Sequence, residues 1–359
     1  MQPRQPAVTL AQRRYFQLNV FTESGSRPPI YFAAAMSKPA PDTLQLPPTH
    51  ADVRAAALRI ASHAHRTPVL RSRSLDALSG AWIAFKCENL QRAGAFKFRG
   101  ACNAVWSLDD DTARQGVVTH SSGNHGAALA LAASTRGIAA HVVVPENAVR
   151  AKLGAIEHYG AHLHFCAPTM VAREEAAERL RVETGAELVH PFTDARVIAG
   201  QGTAALELIE EAGPLDALIT PVGGGGLVSG TALAAHGLDP GMALFGAEPS
   251  GADDTYRSLQ TGVRVTSLVP DTVCDGLRGI VGAVNLELIR AHRVEVLRVD
   301  DRHTLAAMRL LFERLKLVVE PSGAIALAAI VANANLFRGK RVGVILSGGN
   351  VDLDALRFA

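Results

Sequence analysis

Residues 116–145 read GVVTHSSGNHGAALALAASTRGIAAHVVVP, and this stretch carries the clearest fold signal of the chain. Short apolar runs rich in β-branched residues at 116–119 and 140–144 predict two strands. The alanine-rich stretch 126–135 between them predicts a helix, and the polar loop 121–126 joins the first strand to that helix. A strand, a helix and a strand in this order predict a parallel α/β unit.

The same alternation continues along most of the chain after residue 50. Strands that are apolar without polar alternation predict parallel sheets buried on both faces. A length of 359 residues suits two lobes around a cleft. We therefore predict an α/β fold of two lobes, each an open, mostly parallel sheet flanked by helices. Further strands are predicted at 82–87, 161–165, 217–222, 242–247, 294–299 and 341–346, and further helices at 51–64, 98–106, 148–159, 170–184, 201–212, 301–316 and 322–334.

The composition excludes several classes of function. Hydrophobic residues make up 48% and charged residues 19% of the chain, and the formal net charge is +2, so no electrostatic argument favours nucleic acid or an anionic membrane as partner. No apolar run reaches the length of a membrane span. The four cysteines are not at metal-ligand spacing and predict reduced thiols in a cytoplasmic protein without a zinc site: Cys87, Cys102, Cys166 and Cys274.

Residues 1–47 differ from the rest of the chain. They are rich in Pro, Ser, Gln and Arg, and Glu23 and Asp42 are their only acids. We predict a disordered N-terminal extension, with Met36 as an alternative translation start. An organellar targeting segment, which is typically Arg-rich and poor in acids, is the alternative interpretation.

The first chemically informative loop is QRAGAFKFRG at 91–100, which places Lys97 between two aromatic residues. A lysine that attacks an aldehyde must be partly neutral, and burial beside apolar rings lowers the lysine pKa. The alternative is an ordinary lysine at a helix start whose amine reaches solvent. Only six lysines are present, so lysine chemistry has few candidates.

The second loop, SSGNHG at 121–126, lies between a predicted strand and a predicted helix. It presents hydroxyls, a carboxamide and backbone N–H groups at a helix N-terminus, an arrangement suited to an amino-acid carboxylate. A simple helix cap is the alternative, since Ser and Asn are good capping residues.

The third loop, GGGGLVSG at 223–230, has four consecutive glycines between a strand and a helix. Such a run costs backbone entropy and is tolerated where several N–H groups converge on a phosphate. Gly224, Gly226 and Gly230 also resemble a loose dinucleotide loop, with Glu248 ending the next strand, which would indicate a nicotinamide oxidoreductase. The Gly-x-Gly-x-x-Gly pattern itself is absent because Ser229 stands where the third glycine should fall.

The fourth loop, LSGGN at 346–350, follows the last predicted strand, and its hydroxyl could meet a ring nitrogen. A turn without chemistry is the alternative. Together the four loops supply a lysine, a carboxylate site, a phosphate site and a partner for a ring nitrogen. A pyridoxal-phosphate enzyme needs all four, whereas a dehydrogenase has no use for the first and last.

The motifs GAFKFRGA, SSGNHG, AGQGT, GGGGLVSG and LSGGN, in this order and spacing, resemble the serine/threonine dehydratase and serine racemase family of fold-type II pyridoxal-phosphate enzymes. The resemblance covers roughly residues 50 to 355. It implies a large cofactor-binding domain at 48–107 and 191–359, a small mobile domain at 108–190, and a homodimer that acts on a small amino acid.

The resemblance also implies residue roles. Lys97 would hold pyridoxal 5′-phosphate covalently and move the α-proton, and Ser122 would be the acid/base on the opposite face. The remaining cofactor contacts would be Phe96, Asn124, Gly223, Gly224, Gly225, Gly226 and Ser347. The substrate would contact Ser121, Asn124, His125 and Arg173. In the racemase-like branch, Glu248, the carbonyl of Ala252, and Asp254 match a site for magnesium or calcium, because oxygen ligands suit a hard cation.

Two departures favour a dehydratase over a racemase. Ala95 replaces the serine that racemases usually carry before the Phe-Lys pair, and Phe192 is bulky where eukaryotic racemases tend to be polar. We predict an ammonia-lyase that converts L-threonine or L-serine to 2-oxobutanoate or pyruvate and ammonia. Serine racemase and threo-3-hydroxyaspartate ammonia-lyase are the alternatives within the family, and a nicotinamide oxidoreductase or an inactive amino-acid sensor the alternatives outside it.

Overall fold

A computed structural model describes residues 46–148 and 150–352. The N-terminal extension predicted at 1–47 lies almost entirely outside the described residues. The described strands are β1 (Val69–Leu70), β2 (Trp82–Cys87), β3 (Val117–His120), β4 (Ala140–Pro145), β5 (His162–Cys166), β6 (Glu187–Leu188), β7 (Ala217–Pro221), β8 (Ala243–Pro249), β9 (Glu295–Val299) and β10 (Arg341–Leu346).

The helices are connected to the strands by short loops, as expected for parallel α/β units. In chain order they are α1 (His50–Ile60), α2 (Arg73–Ser79), α3 (Lys97–Trp106), α4 (Asp110–Arg114), α5 (Asn124–Arg136), α6 (Arg150–His158), α7 (Met170–Thr184), α8 (Ala195–Ala212), α9 (Gly226–Leu238), α10 (Asp254–Thr261), α11 (Ala283–Ala291), α12 (Asp301–Leu315), α13 (Pro321–Ala332) and α14 (Ala334–Phe337).

The strands form two sheets. The six-stranded sheet has the order β1-β2-β10-β7-β8-β9, and its strands are parallel except for β1. The four-stranded sheet has the order β5-β4-β3-β6 and is parallel throughout. The prediction of two mostly parallel sheets flanked by helices is confirmed. The strands of the smaller sheet fall within 108–190, the range predicted for a small mobile domain, although the domain boundaries and the mobility stay predictions.

One of the helices that cover the larger sheet, α13, is almost wholly apolar. Helix α13 begins with Pro321 in its first turn, where no N–H is needed, and ten of its residues are buried. Helices α8 and α9 approach closely on another face, because a Cβ atom on Gly230 would lie 2.6 Å from the backbone nitrogen of Gly202. Only glycine at this crossing permits so short a distance between the two helices.

Several elements differ from the sequence-based expectations. The two-residue strands β1 and β6 were not predicted, and neither were the helices α2, α4, α10, α11 and α14. None of these helices is longer than 9 residues, so a hydrophobic period is hard to recognise in them. Helix α5 starts at Asn124, two residues before the predicted start, so the polar loop itself forms its first turn. No helix in the described ranges has the length and apolarity of a membrane span.

Candidate active site

Three of the four predicted loops follow adjacent strands of the larger sheet. Strand β10 lies between β2 and β7, and all three run parallel, so their carboxyl ends share one edge. The Lys97 loop follows β2, the four-glycine loop follows β7, and the 346–350 loop follows β10. Ligands in open α/β sheets bind at this edge.

Backbone hydrogen bonds join two of these loops directly. The N–H of Phe96 donates to the carbonyl of Ser347 at 2.9 Å, and the N–H of Gly349 donates to the carbonyl of Gly94 at 2.9 Å. Ala95 and Gly348 form an isolated antiparallel bridge between these two bonds. The lysine loop is therefore held against the 346–350 loop at the residues that immediately precede Lys97.

Lys97 is the first residue of α3, and its side chain is partly buried. The Lys97 amine donates to the carbonyl of Pro191 at 2.8 Å and lies 5.2 Å from the centre of the Phe96 ring. Burial lowers the pKa of Lys97 from 10.5 to about 8. The carbonyl partner carries no net charge, so it opposes this lowering of the pKa less than a carboxylate would. With a pKa of about 8, about a tenth of the amine is neutral at pH 7 and available as a nucleophile or base.

The glycine loop meets the same region through Phe192, the neighbour of Pro191. A Cβ atom on Gly224 would lie 2.4 Å from Cγ of Phe192, and Gly225 has a φ of +92°, so neither position accepts a side chain without strain. Helix α9 begins at Gly226. No backbone carbonyl of the described residues accepts a hydrogen bond from the N–H groups of residues 223–225. Unpaired N–H groups at a helix N-terminus fit a phosphate.

Asn124 connects the smaller sheet to the larger one. Its side-chain NH₂ donates to both carboxylate oxygens of Glu320, at 3.0 and 3.1 Å, and its carbonyl oxygen accepts from Asn350 at 3.0 Å. A Cβ atom on Gly348 would lie 2.6 Å from the Glu320 carboxylate. Sequence reasoning missed Glu320 and Asn350. The pairing Glu-Pro at a helix start was the only local signal for Glu320, and it is typical of ordinary helix starts.

The other residues of the SSGNHG loop take different positions. The Ser121 hydroxyl accepts a bond from the N–H of Gly123 at 3.4 Å. Ser122 lies beside it and is partly exposed. His125 is buried, and its Nε2 lies 3.3 Å from the carbonyl of Val189. The pKa of His125 is lowered well below its ordinary value, first by burial and then by the nearby Lys97 charge.

Further histidines and one arginine surround this loop. His120 ends β3 and lies edge-on to His190, with ring centres 5.0 Å apart. Burial lowers the pKa of His120 to about 4 and that of His190 to about 3, so both rings are neutral at pH 7. The positive charge of Arg173 contributes to the shift of His120. Among the residues that the structure describes, the Nε of Arg173 is buried without a hydrogen-bond partner, so one N–H of this side chain is unsatisfied near His120.

Ser347 is buried at the carboxyl end of β10, and its hydroxyl donates to the carbonyl of Ser322 at 3.4 Å. This position and its small side chain are compatible with a ring-nitrogen partner. Sequence reasoning therefore named residues that the fold brings together from both sheets: Lys97, the glycine loop, Ser347 and the SSGNHG loop.

The predicted cation ligands form a separate group beyond β8. Glu248 is buried and accepts from the N–H groups of Thr255 and Tyr256, at 2.9 and 2.8 Å, while Asp254 accepts from the N–H of Val281 at 2.8 Å. Burial raises the pKa of Glu248 to about 8 and that of Asp254 to about 6. Two buried carboxylates that are costly to ionise fit a cation, which would stabilise both charges. No cluster of three metal-ligating side chains occurs within 46–148 and 150–352, but the predicted set contains only two.

Comparison with known proteins identifies the family. Residues 60–348 match the model for the pyridoxal-phosphate dependent enzyme family. The chain belongs to this family, and its relatives place it in the serine/threonine dehydratase and racemase group with the fold of fold-type II enzymes.

Three relatives illustrate the range of that group. The chain is 47% identical to serine racemase of Oryza sativa subsp. indica, over 85% of this chain and 91% of the relative. It is also 47% identical to beta-hydroxyaspartate dehydratase of Paracoccus denitrificans (strain Pd 1222), over 86% of this chain and 98% of the relative. The solved structure of threonine deaminase from T.th. has a TM-score of 0.81 and 42% identity, covering 85% of this chain and 99% of that one. The predicted family is confirmed, while the relatives carry several different activities.

Proposed function

We propose that this chain is a pyridoxal-phosphate-dependent ammonia-lyase that converts L-threonine to 2-oxobutanoate and L-serine to pyruvate, releasing ammonia. The observation that carries the proposal is the amine of Lys97. It is partly neutral at pH 7, bonded to a carbonyl, and placed where loops from both sheets meet. A lysine in this state can bind an aldehyde and then move a proton.

The site residues suit the cofactor. Pyridoxal phosphate, when bound, withdraws electrons from the α-carbon of an amino acid. The N–H groups of residues 223–226 would hold its phosphate, and the Lys97 amine its aldehyde carbon. Ser347 would bond its ring nitrogen, Asn124 its ring hydroxyl, and Phe96 would pack beside the ring. A neutral serine at the ring nitrogen leaves that nitrogen unprotonated, which suits elimination over transamination.

The substrate is held by the SSGNHG loop in this proposal. Ser121, Asn124 and His125 bind its carboxylate at the N-terminus of α5, where helix N–H groups favour an anion. Lys97 removes the α-proton, and the β-hydroxyl leaves with a proton as water. Addition of one water to the dehydrated product then gives the 2-oxo acid and ammonia, so the overall reaction neither gains nor loses water.

The test is a substrate panel with the purified holoenzyme. We expect ammonia and a 2-oxo acid in equal amounts from L-threonine and L-serine. Binding of the cofactor without any 2-oxo acid from these or from 3-hydroxyaspartate would indicate an amino-acid sensor. The match to the pyridoxal-phosphate dependent enzyme family leaves no support for a nicotinamide oxidoreductase.

A β-carboxylate substrate such as threo-3-hydroxyaspartate is the second candidate, and Arg173 is the observation that favours it. Among the described residues the buried Nε of Arg173 has no hydrogen-bond partner and lies near the neutral His120, so its N–H can donate to a substrate carboxylate. If so, Arg173→Met lowers kcat/KM for 3-hydroxyaspartate by about 10- to 100-fold, the value of a charged hydrogen bond, and leaves threonine turnover nearly unchanged. The exposed Arg179 on the same helix provides the control, Arg179→Met. Equal effects of both variants would exclude this candidate.

Racemisation would share the first proton transfer with elimination but would need a donor on the opposite face. Ser122 is our candidate for that donor. We expect Ser122→Ala to lower the ratio of D-serine to pyruvate formed from L-serine by about tenfold or more, since positioned proton transfer contributes roughly 10²–10⁴-fold. If D-serine is the main product of the wild type, serine racemase is the primary activity. Equal loss of both products would assign Ser122 to binding.

We also propose that magnesium or calcium binds Glu248, the carbonyl of Ala252, and Asp254. A cation that binds only the folded protein must raise its melting temperature, so chelation should lower that temperature and Glu248→Gln should remove the response.

A homodimer and a cytoplasmic location complete the proposal, and the four buried, unpaired cysteines are consistent with a reducing compartment.

A further inference from the structure

Three histidines cluster on the smaller sheet, away from the residues assigned to the active site. His141 is the second residue of β4, and His162 and His164 are the first and third residues of the neighbouring strand β5. His141 is paired in register with His162, and residues two apart on a strand point to the same face. All three imidazoles therefore lie on one face of the sheet, near its amino edge.

The rings approach each other closely. Nδ1 of His141 lies 3.1 Å from Nε2 of His164. The ring of His141 is also 5.3 Å from that of His162, centre to centre, with only 26° between their planes. Two nitrogens that each lie about 2.1 Å from a tetrahedral zinc ion are about 3.4 Å apart, so the observed separation of His141 and His164 is close to that of two ligands on one metal.

We propose that His141, His162 and His164 form a binding site for a first-row transition-metal cation of the Zn²⁺ class. Imidazole nitrogens are good ligands for zinc, copper and nickel. This chemistry differs from the carboxylate and carbonyl set near Glu248, which suits magnesium or calcium. The site is thus distinct from the proposed hard-cation site in both its place in the fold and its ligands.

One carboxylate lies close to the cluster. Glu183, near the end of α7, is near enough to His164 to interact with it electrostatically. A bound cation would thus meet imidazole ligands and one nearby negative charge.

His141 and His164 are hydrogen-bonded to each other through their ring nitrogens, so a metal would have to replace that bond while His162 turns towards it. Within the described ranges, no three metal-ligating side chains already surround one point. His162 is exposed and can rotate at its surface position without disturbing the core. A second imidazole pair, His236 and His292, has its Nδ1 atoms 3.0 Å apart, but His236 is also bonded to the carbonyl of Met242 at 3.0 Å. That pair has no third imidazole among the described contacts and serves as the comparison.

The test measures Zn²⁺ binding to untagged holoenzyme in excess Mg²⁺, which occupies oxygen-ligand sites, by competition with a chromophoric zinc chelator. We expect His141→Gln and His162→Gln each to weaken one binding event by at least about tenfold, since even indirect support of a metal ligand is worth roughly 10–100-fold in affinity. Zn²⁺ should also raise the melting temperature of the wild type and not that of His162→Gln. His292→Gln and the exposed His158→Gln are the controls and should bind as the wild type does.

His162→Gln keeps the test decisive even if His141→Gln misfolds, because His162 is exposed. Equal Zn²⁺ affinity and stoichiometry in the wild type and His162→Gln would overturn the proposal. So would the absence of competition by the wild type, or a loss of binding seen only in His292→Gln.

Discussion

Burial lowers the amine pKa of both Lys86 and Lys97, and the difference between their surroundings separates a structural lysine from a reactive one. Lys86 is fully buried in β2, and its amine donates to the carbonyl of Thr67 and to the carboxylate of Glu207, each at 2.6 Å. Lys97 donates to the carbonyl of Pro191, and no carboxylate of the described residues forms an ion pair with it. Burial lowers the pKa of both, but Glu207 opposes that shift only for Lys86.

The charged network around Lys86 also supports the site of Lys97. Arg99 lies two residues after Lys97 in α3, is fully buried, and bonds to Glu88 at 2.7 Å and to Glu207 at 2.7 Å. Glu207 therefore links Lys86 of the sheet to Arg99 of the helix that begins with Lys97. A lysine that is ion-paired with a carboxylate thus stabilises the fold, whereas a lysine without a counter-charge remains available for chemistry.

The largest effect is expected from Lys97→Ala. Removal of this amine should lower kcat by about 10³-fold or more, because positioned proton transfer alone contributes roughly 10²–10⁴-fold. Stability should not fall, since a buried amine without a counter-charge is itself unfavourable. Turnover and thermal unfolding of the variant and of the control Lys340→Ala are the measurements. Activity within a few-fold of the wild type would show that another lysine is the base.

Lys86→Met should produce the opposite pattern. Removal of one partner from a buried ion pair costs about 3 kcal/mol or more, so we expect the free energy of unfolding to fall by that amount. The folded fraction should retain covalent cofactor, because Lys97 is unchanged. Urea unfolding followed by circular dichroism gives the first quantity, and absorbance of the folded protein the second. A change below about 0.5 kcal/mol, the usual range for surface substitutions, would contradict the structural role.

The part of this contrast that could be predicted from sequence was the loop chemistry. The Phe-Lys-Phe context singled out Lys97, and the rule that ligands lie at the carboxyl ends of parallel strands placed three loops together. The partners of Lys86 and Asn124 could not be predicted. Glu207 is 121 residues from Lys86 and Glu320 is 196 residues from Asn124, so only the tertiary fold brings them into contact.

The remaining failures have the same origin. Phe192 was recognised as bulky but not as the residue that packs on Gly224, because that contact depends on the tertiary arrangement of distant segments. The proximity of the histidines on β4 and β5 could not be predicted from sequence, because it depends on the register in which the two strands pair.

A smaller effect concerns pH. The folded pKa of Lys97, about 8, lies below its ordinary 10.5, so the neutral fraction of the amine rises with pH and is half complete near 8. The rate at which added pyridoxal phosphate attaches to the apoenzyme should rise about tenfold from pH 7 to 9 and then level off. A rate that keeps rising about tenfold per pH unit to pH 10 would indicate an unperturbed lysine such as an exposed one. Because the pKa of Lys97 is lower in the folded apoenzyme than in the unfolded chain, the unfolded chain binds more protons between pH 8 and 10.5. The free energy of unfolding of the apoenzyme should therefore rise with pH over that range.

The most direct measurement is to locate the covalent attachment of the cofactor. Holoenzyme is reduced with borohydride, digested and sequenced by mass spectrometry, with Lys97→Ala and Lys86→Met treated in parallel. The account predicts a single pyridoxyl group on Lys97 in the wild type and in Lys86→Met, and none in Lys97→Ala. A pyridoxyl group on Lys86, or an unchanged yield in Lys97→Ala, would contradict it.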